Sequence, residues 1–263
     1  MFNYVGSTAL VTGASKGIGE VFAEQLAGRG MNLVLVARSL DMLERQAARL
    51  SARYGIKAVA LSADLADPEA AQTIAAELER RGIQVDLLVN NAGLGLSGNF
   101  MSHEMKQVRG ELQVNVQTLL SLSYLFGKGM QQRGKGGIIN LASNASFQPV
   151  PAMATYAATK AFVLHFSEAL NYELAGDGVH VMAVCPGPTA TSFFDGTTTN
   201  LSSKDMDTSE SVVQKSLDAF DQRKSVAYPT RFSVRVGTLL PRFLPRALIT
   251  KISGMATKSM GLH

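Results

Sequence analysis

TALVTGASKGIGEVFAEQL, residues 8–26, decides the fold. Its first five residues suit a buried strand, and the chain then turns through Gly13-Ala14-Ser15-Lys16-Gly17-Ile18-Gly19 into a segment with Ile18, Phe22 and Leu26 at i, i+4 and i+8. That is strand, glycine turn and helix, with the stripe marking the face the helix buries. Outward from it the alternation continues. Apolar runs stand near 7–12, 32–37, 57–61, 86–90, 137–142, 179–184 and, weakly, 225–228, with helical spacing between them, as in Ile74 and Leu78 after Pro68. Strands such as LVLVA, DLLVN, GIINLA and VMAVC are apolar on both faces, so helices must cover both faces of the sheet. The expectation is an α/β, doubly wound parallel sheet of about seven strands in a single domain.

The glycines lie where the chain enters a helix N-terminus, and backbone N–H groups there attract phosphate. Their spacing, G-x-x-x-G-x-G, differs from the commonest dinucleotide fingerprint, and Lys16 precedes its glycine, which excludes a P-loop. Alone, the pattern also fits a βα turn without a ligand. About 20 residues on, where an acid would bind an adenosine ribose, the chain has Arg38. A guanidinium suits a 2′-phosphate, and Lys16 offers a second positive group, so NADP(H) is expected over NAD(H). Asp41 reads either as a ribose ligand or as a first-turn acid of the next helix.

Further along, Asn90-Asn91-Ala92-Gly93 follows the fourth strand, Asn115 lies in a helix, and Ser143 follows the fifth strand. Tyr156 and Lys160 stand at i and i+4 on the next helix. With TGASKGIG, NNAG, Ser143, YAATK and PGPTAT in this order, the chain resembles the short-chain dehydrogenase/reductase family from about Ser7 to Thr191. Y-x-x-x-K arises by chance in many helices; a Tyr following Ser by 13 residues, after both upstream motifs, seldom does.

The resemblance implies a Rossmann-type fold with Tyr156 as general acid/base, Ser143 holding the carbonyl or hydroxyl oxygen, and Lys160 on the nicotinamide ribose. Asn115 would hold a water relaying protons to Lys160. Cofactor contacts are implied for Gly13, Ser15, Lys16, Gly17, Ile18 and Gly19 in the turn, for Asp64 and Leu65 at the adenine, and for Asn91, Ala92 and Gly93 along the cofactor. Pro186, Gly187, Thr189 and Thr191 complete the set, Thr191 at the carboxamide. The family further implies homo-oligomers, dimers or tetramers, built on the helices holding Asn115 and Tyr156.

Chemistry explains these residue types. Hydride arriving at a carbonyl carbon leaves charge on oxygen, and a phenol can neutralise it with a proton. Free Tyr titrates near ~10, so Lys160, one helical turn away, is expected to favour the phenolate. The plainer reading of Tyr156 is a packed helix aromatic. Phe193 and Phe194 either wall an apolar substrate pocket beside Ser143 and Tyr156 or pack as ordinary lid residues. Cys185 reads as a small buried hydrophobe, and the four histidines show no metal spacing, so no metal is expected.

The chain has 263 residues, 46% hydrophobic and 17% charged, which excludes global disorder, and its one cysteine excludes a disulfide framework. The opening MFNYVGSTALVTG lacks the features of an export signal and no apolar run is long enough to span a bilayer, so a cytoplasmic location is expected. The formal charge of +4 hides an asymmetry. Residues 1–221 carry 17 basic and 21 acidic side chains, whereas 222–263 carry eight basic and no acidic ones. We expect residues 1–230 to form the NADP-binding catalytic domain, with a lid at about 189–222, where Asp207 and Glu210 fit a capping box ahead of Val213, Leu217 and Phe220. Residues 231–263 form a basic extension in which Ala247, Leu248, Ile252 and Met255 share one helical face. It would pack on its own domain, on a partner subunit or on a membrane surface. A nucleic-acid partner is not expected, since no aromatic platform is interleaved with the cations beyond Phe232 and Phe243.

The resulting expectation is an NADP(H)-dependent oxidoreductase that interconverts a ketone and a secondary alcohol, with an acyl, lipid-like or steroid-like substrate. The alternatives are a non-catalytic dinucleotide-binding regulatory module and a membrane-associated scaffold.

Overall fold

Ala9 and Val11 of strand β1 (Thr8–Thr12) pack into one apolar layer and Leu10 into another, and all three are fully buried. The same split recurs in β2 (Asn32–Ala37), where Leu33 and Leu35 face one layer and Val34 and Val36 the other. Strands with two covered faces need no polar alternation. In the computed structural model, which describes residues 2–194 and 199–262, these strands join β3 (Ala58–Ser62), β4 (Leu87–Asn90), β5 (Gly136–Leu141), β6 (Val179–Val184) and β7 (Val226–Ala227). The seven form one parallel sheet in the order β3-β2-β1-β4-β5-β6-β7. Every strand falls within one residue of its sequence-based limits.

One face is covered by α1 (Gly17–Gly28), α2 (Leu40–Tyr54) and α7 (Ser209–Asp221), through Phe22 and Leu26, Leu43 and Leu50, and Val213, Leu217 and Phe220. Each such side chain contributes roughly 1.5–3 kcal/mol by leaving water. The other face is covered by α3 (Ala70–Arg80), α5 (Leu119–Arg133) and α6 (Ala154–Leu174), through residues such as Ile74, Leu78, Leu122 and Leu174. A short helix, α4 (Met105–Leu112), runs into α5 through a π-helical turn at Gln113–Thr118.

The stretch read as a lid divides in two. α7 belongs to the main core against α1, so within residues 189–222 the side chains at the cavity, among them Thr191 and Leu201, all precede Ser209. The helix also starts one residue later than Asp207 and Glu210 suggest. Thr208 caps it, accepting from the Ser211 N–H at 3.2 Å, because Asp207 is engaged with the Thr230 hydroxyl at 2.8 Å.

After β7 come α8 (Phe232–Gly237), a 3-10 turn (Leu240–Arg242) and α9 (Arg246–Ser259), with Pro241 and Pro245 breaking the run. Ile249 and Thr257 of α9 are buried, and beyond the helix Leu262 packs with Ala145, Val150, Met153 and Ala157. The Asn200 N–H donates to the Met260 carbonyl at 2.8 Å, tying the extension to the segment that follows Thr191. Ala247, Leu248, Ile252 and Met255 do share one face, and all four are exposed.

Candidate active site

The sheet order reverses at β1, opening a crevice between the ends of β1 and β4 where ligands of doubly wound folds bind. Gly13 and Gly17 have φ of +64° and +60°, which other residues adopt only with strain. Gly19 is required by contact instead: a Cβ there would lie 2.2 Å from the Gly13 carbonyl oxygen. The turn is pinned from β4, since Asn91 donates through Nδ2 to the Thr12 carbonyl at 2.9 Å, and the Asn91 and Ala92 N–H groups both donate to Thr12 Oγ1 at 3.0 Å. Lys16 precedes α1 in extended conformation with no side-chain cap, which leaves the first helical N–H groups for a ligand.

The crevice opens into a cavity of about 890 Å³, near the upper end of small-molecule sites. Ser15, Lys16, Gly17 and Ile18 line it, with Arg38 after β2 and Asp64 and Leu65 after β3. Arg38 is exposed and makes no ion pair among the described residues. Asp41 is a first-turn acid of α2 and does not line the cavity. Across the crevice stand Asn91, Ala92 and Gly93, then Pro186, Gly187, Thr189 and Thr191 beyond β6. The glycine cradle, the uncapped helix and the two cations together fit a phosphorylated dinucleotide.

Ser143, Tyr156 and Lys160 line the same cavity. Ser143 follows β5 and caps a 3-10 turn (Asn144–Phe147); its N–H donates to Ser146 Oγ at 3.2 Å, and the Ser146 hydroxyl donates to the Lys160 carbonyl at 2.8 Å. That chain fixes α6 against the strand end. Lys160 is buried; its Nζ donates to the Leu141 carbonyl at 2.6 Å and lies 5.8 Å from the centre of the Tyr156 ring. A Cβ on Gly93 would come within 3.4 Å of both Lys160 Nζ and Asn115 Oδ1. Asn115, in the π-helical turn, does not line the cavity. Its Oδ1 accepts from the Leu94 N–H and its Nδ2 donates to the Leu94 carbonyl, both at 2.8 Å, and to Thr159 Oγ1 at 3.1 Å. The side chain thus holds the loop beside Lys160.

Burial pushes Tyr156 up to about 12, opposed by a hydrogen bond from Ser143 and reinforced by the charge of Glu111. Burial also lowers Lys160 to about 8, while Glu111 and Cys185 pull it back up. In the chain by itself desolvation dominates both groups, and Lys160 Nζ is directed at the Leu141 carbonyl. Glu111 was missed in the sequence. It is fully buried on α4, accepts from the Leu96 N–H at 3.0 Å, and leaves Oε2 without a partner. A lone acid four residues before Asn115 carries no pattern that would single it out.

The ring of Phe193 lies 5.3 Å from that of Tyr156, and a Cβ on Gly95 would meet Phe193 Cζ at 2.3 Å. Phe193 therefore stands between the 94–96 loop and the catalytic candidate. The side chain of Phe194 lies outside the described residues. Sequence reasoning also missed Gln148, whose Oε1 is buried without a partner at the cavity, and the wall formed by Val234, Ser253, Ala256 and Met260 of the extension. Cys185 is buried and its thiol is pushed up to about 12, which leaves it unreactive. Among the described residues no cluster of three or more metal-ligating side chains exists.

A family model described as short chain dehydrogenase matches residues 7–202. A very-long-chain 3-oxoacyl-CoA reductase from Anas platyrhynchos is 34% identical over 192 residues, covering 71% of this chain and 61% of that protein. The chain thus spans less than two thirds of that curated relative. Among solved structures, a short-chain dehydrogenase from Sphingobium yanoikuyae in complex with NADPH is 34% identical with a TM-score of 0.81, covering 92% of this chain and 97% of the other. A bulky-bulky ketone specific alcohol dehydrogenase from Comamonas testosteroni is 31% identical with a TM-score of 0.78, covering 91% and 99%.

Proposed function

Because this chain belongs to the short-chain dehydrogenase family, we propose that it is an NADP(H)-dependent oxidoreductase interconverting a ketone and a secondary alcohol, with an apolar acyl ketone as substrate. The observation that carries this reading is the lining of one cavity by Ser143, Tyr156 and Lys160 together with the glycine turn. Similarity to a 3-oxoacyl-CoA reductase and to an NADPH-bound dehydrogenase supports the substrate class and the cofactor. Arg38 and Lys16, both at the cavity, supply charge for a 2′-phosphate.

Bound NADPH supplies the hydride. Ser143 Oγ and the Tyr156 hydroxyl hold the carbonyl oxygen, and Tyr156 gives it a proton as negative charge develops there. With its phenol at about 12, Tyr156 is protonated at neutral pH and suited to the reductive direction. Lys160, at about 8, exchanges protons near neutrality and can restore the phenol. Asn115 and Glu111 position the 94–96 loop beside them. Residues 1–230 act as the catalytic domain and 231–263 wall its substrate end. Leu120 and Tyr124 on α5 and Phe162 on α6 are exposed, and this face suits a homo-oligomeric contact. No helix among the described residues is long and apolar enough to cross a membrane.

The test is NADPH oxidation with 3-oxoacyl thioesters of increasing chain length, in wild type and Tyr156→Phe. The variant should bind NADPH unchanged and lose about 10²–10⁴ in turnover, the range of a general acid. Full activity in the variant, or a wild type inert toward every ketone, overturns the proposal and favours a non-catalytic dinucleotide-binding module.

A further inference from the structure

The extension presents two unlike faces. Inward, Val234 of α8 and Ser253 and Ala256 of α9 line the cavity. Outward, Phe232 and Phe243 are each 81% exposed, and Leu240, Leu248, Ile252 and Met255 of the same stretch are exposed. Four aliphatic side chains and two phenyl rings thus stand in water along about 25 residues, a concentration of apolar exposure in one stretch of chain. Cations are interspersed: Arg242, Arg246 and Lys251 are exposed and make no ion pair among the described residues. No acidic residue occurs from 222 to 263 to neutralise them.

We propose that this outer face docks on an anionic lipid bilayer, with Phe232 and Phe243 entering the headgroup boundary and Arg242, Arg246 and Lys251 at the lipid phosphates. Charge and shape both select this occupant. A second copy meeting the patch across a two-fold axis would set Arg242, Arg246 and Lys251 against their own copies, with no acid of the extension between them. An interface of lipid phosphate above acyl chains receives both kinds of side chain at once. Val234 of the cavity wall shares α8 with Phe232, and Ser253 and Ala256 share α9 with Leu248, Ile252 and Met255, so docking brings the cavity rim against the bilayer. This inference stands apart from the redox reading, since it uses neither cofactor nor Tyr156.

Sedimentation of the full chain with vesicles tests it, using phosphatidylcholine alone and an equimolar mixture with phosphatidylglycerol. The chain should partition to the mixed vesicles, far less to phosphatidylcholine, and should be released by high salt. Joint Phe232→Ser and Phe243→Ser replacement should weaken partitioning at least tenfold. Arg242→Gln, Arg246→Gln and Lys251→Gln together should weaken it on the order of a hundredfold, about fivefold per cation. These side chains are exposed, so the melting temperature serves as the control and should not move. Absent binding, equal binding to both vesicles, or Phe variants that bind like wild type would each overturn the proposal. So would a dimer in solution that dissociates in the Phe variants while no vesicle is bound.

Discussion

Replacing Gly19 with alanine strikes the phosphate turn without touching a charge or a catalytic candidate. The new Cβ would lie 2.2 Å from the Gly13 carbonyl oxygen and 2.4 Å from Asn91 Nδ2, whereas Cβ contacts essentially never fall below 3.0 Å. A backbone oxygen cannot swing aside, so the turn must open by about 0.8 Å. Overpacking of this kind costs about 1–3 kcal/mol. At about 2–4 °C per kcal/mol for a chain of this size, Tm should fall by about 2–12 °C. The same opening moves Gly13 away from the N-terminus of α1, and a misplacement near 1 Å costs on the order of 100-fold. Fluorescence titration should therefore find NADPH and NADH weakened by equal factors, since both present a pyrophosphate there. Gly95→Ala is the counter-case: its 2.3 Å contact is with the tip of Phe193, a ring that can rotate, so the KM for ketone changes while cofactor affinity does not. A Gly19→Ala protein with wild-type Kd and Tm would refute the assignment of the turn.

Arg38→Ala removes an exposed guanidinium that has no internal ion pair, so Tm should hold while the Kd for NADPH rises about 10- to 150-fold, the loss of charge-assisted bonds, and that for NADH stays put; an unchanged NADPH-to-NADH preference would remove Arg38 from the site. His180 is buried with Nε2 unpartnered, and burial holds it near 4 against an ordinary 6.5. The unfolded chain takes up that proton first, so His180 contributes its full stability above about pH 6.5 and loses about 3 kcal/mol of it as pH falls toward 4. Urea titrations across that window should show the fall, and His180→Leu should flatten it; a variant with the wild-type slope would assign the fall to other groups.

Much of this architecture is written locally. β1, the glycine turn and α1 are adjacent in sequence, so one 19-residue stretch displays strand, turn and helix stripe together. Tyr156 and Lys160 were legible for the same reason, sharing one helix face. What escaped depends on contacts between distant segments. Glu111 acquires its position through the Leu96 N–H, and the cavity wall formed by α9 depends on Met260 reaching Asn200. The periodic stripe of Ala247, Leu248, Ile252 and Met255 names a helix face correctly, but periodicity says nothing of what that face meets. The domain contact falls instead to Ile249 and Thr257, a mixed pair that no hydropathy pattern selects.

The central position of β1 also governs how the molecule is made. Synthesis delivers β1, β2 and β3 as a half-sheet whose Ala9–Val11 edge has no neighbour until Leu87–Val89 emerges some 75 residues later. At ribosomal speeds of about 5–20 residues per second that edge stays open for roughly 4–15 s. It is apolar and lacks any charged gatekeeper, so the nascent chain is at its most association-prone early, before half of it exists. Fragments that stop after β3 should accordingly precipitate or occupy chaperones, and yields on expression should respond to translation rate across residues 60–90 more than to changes near the finished site.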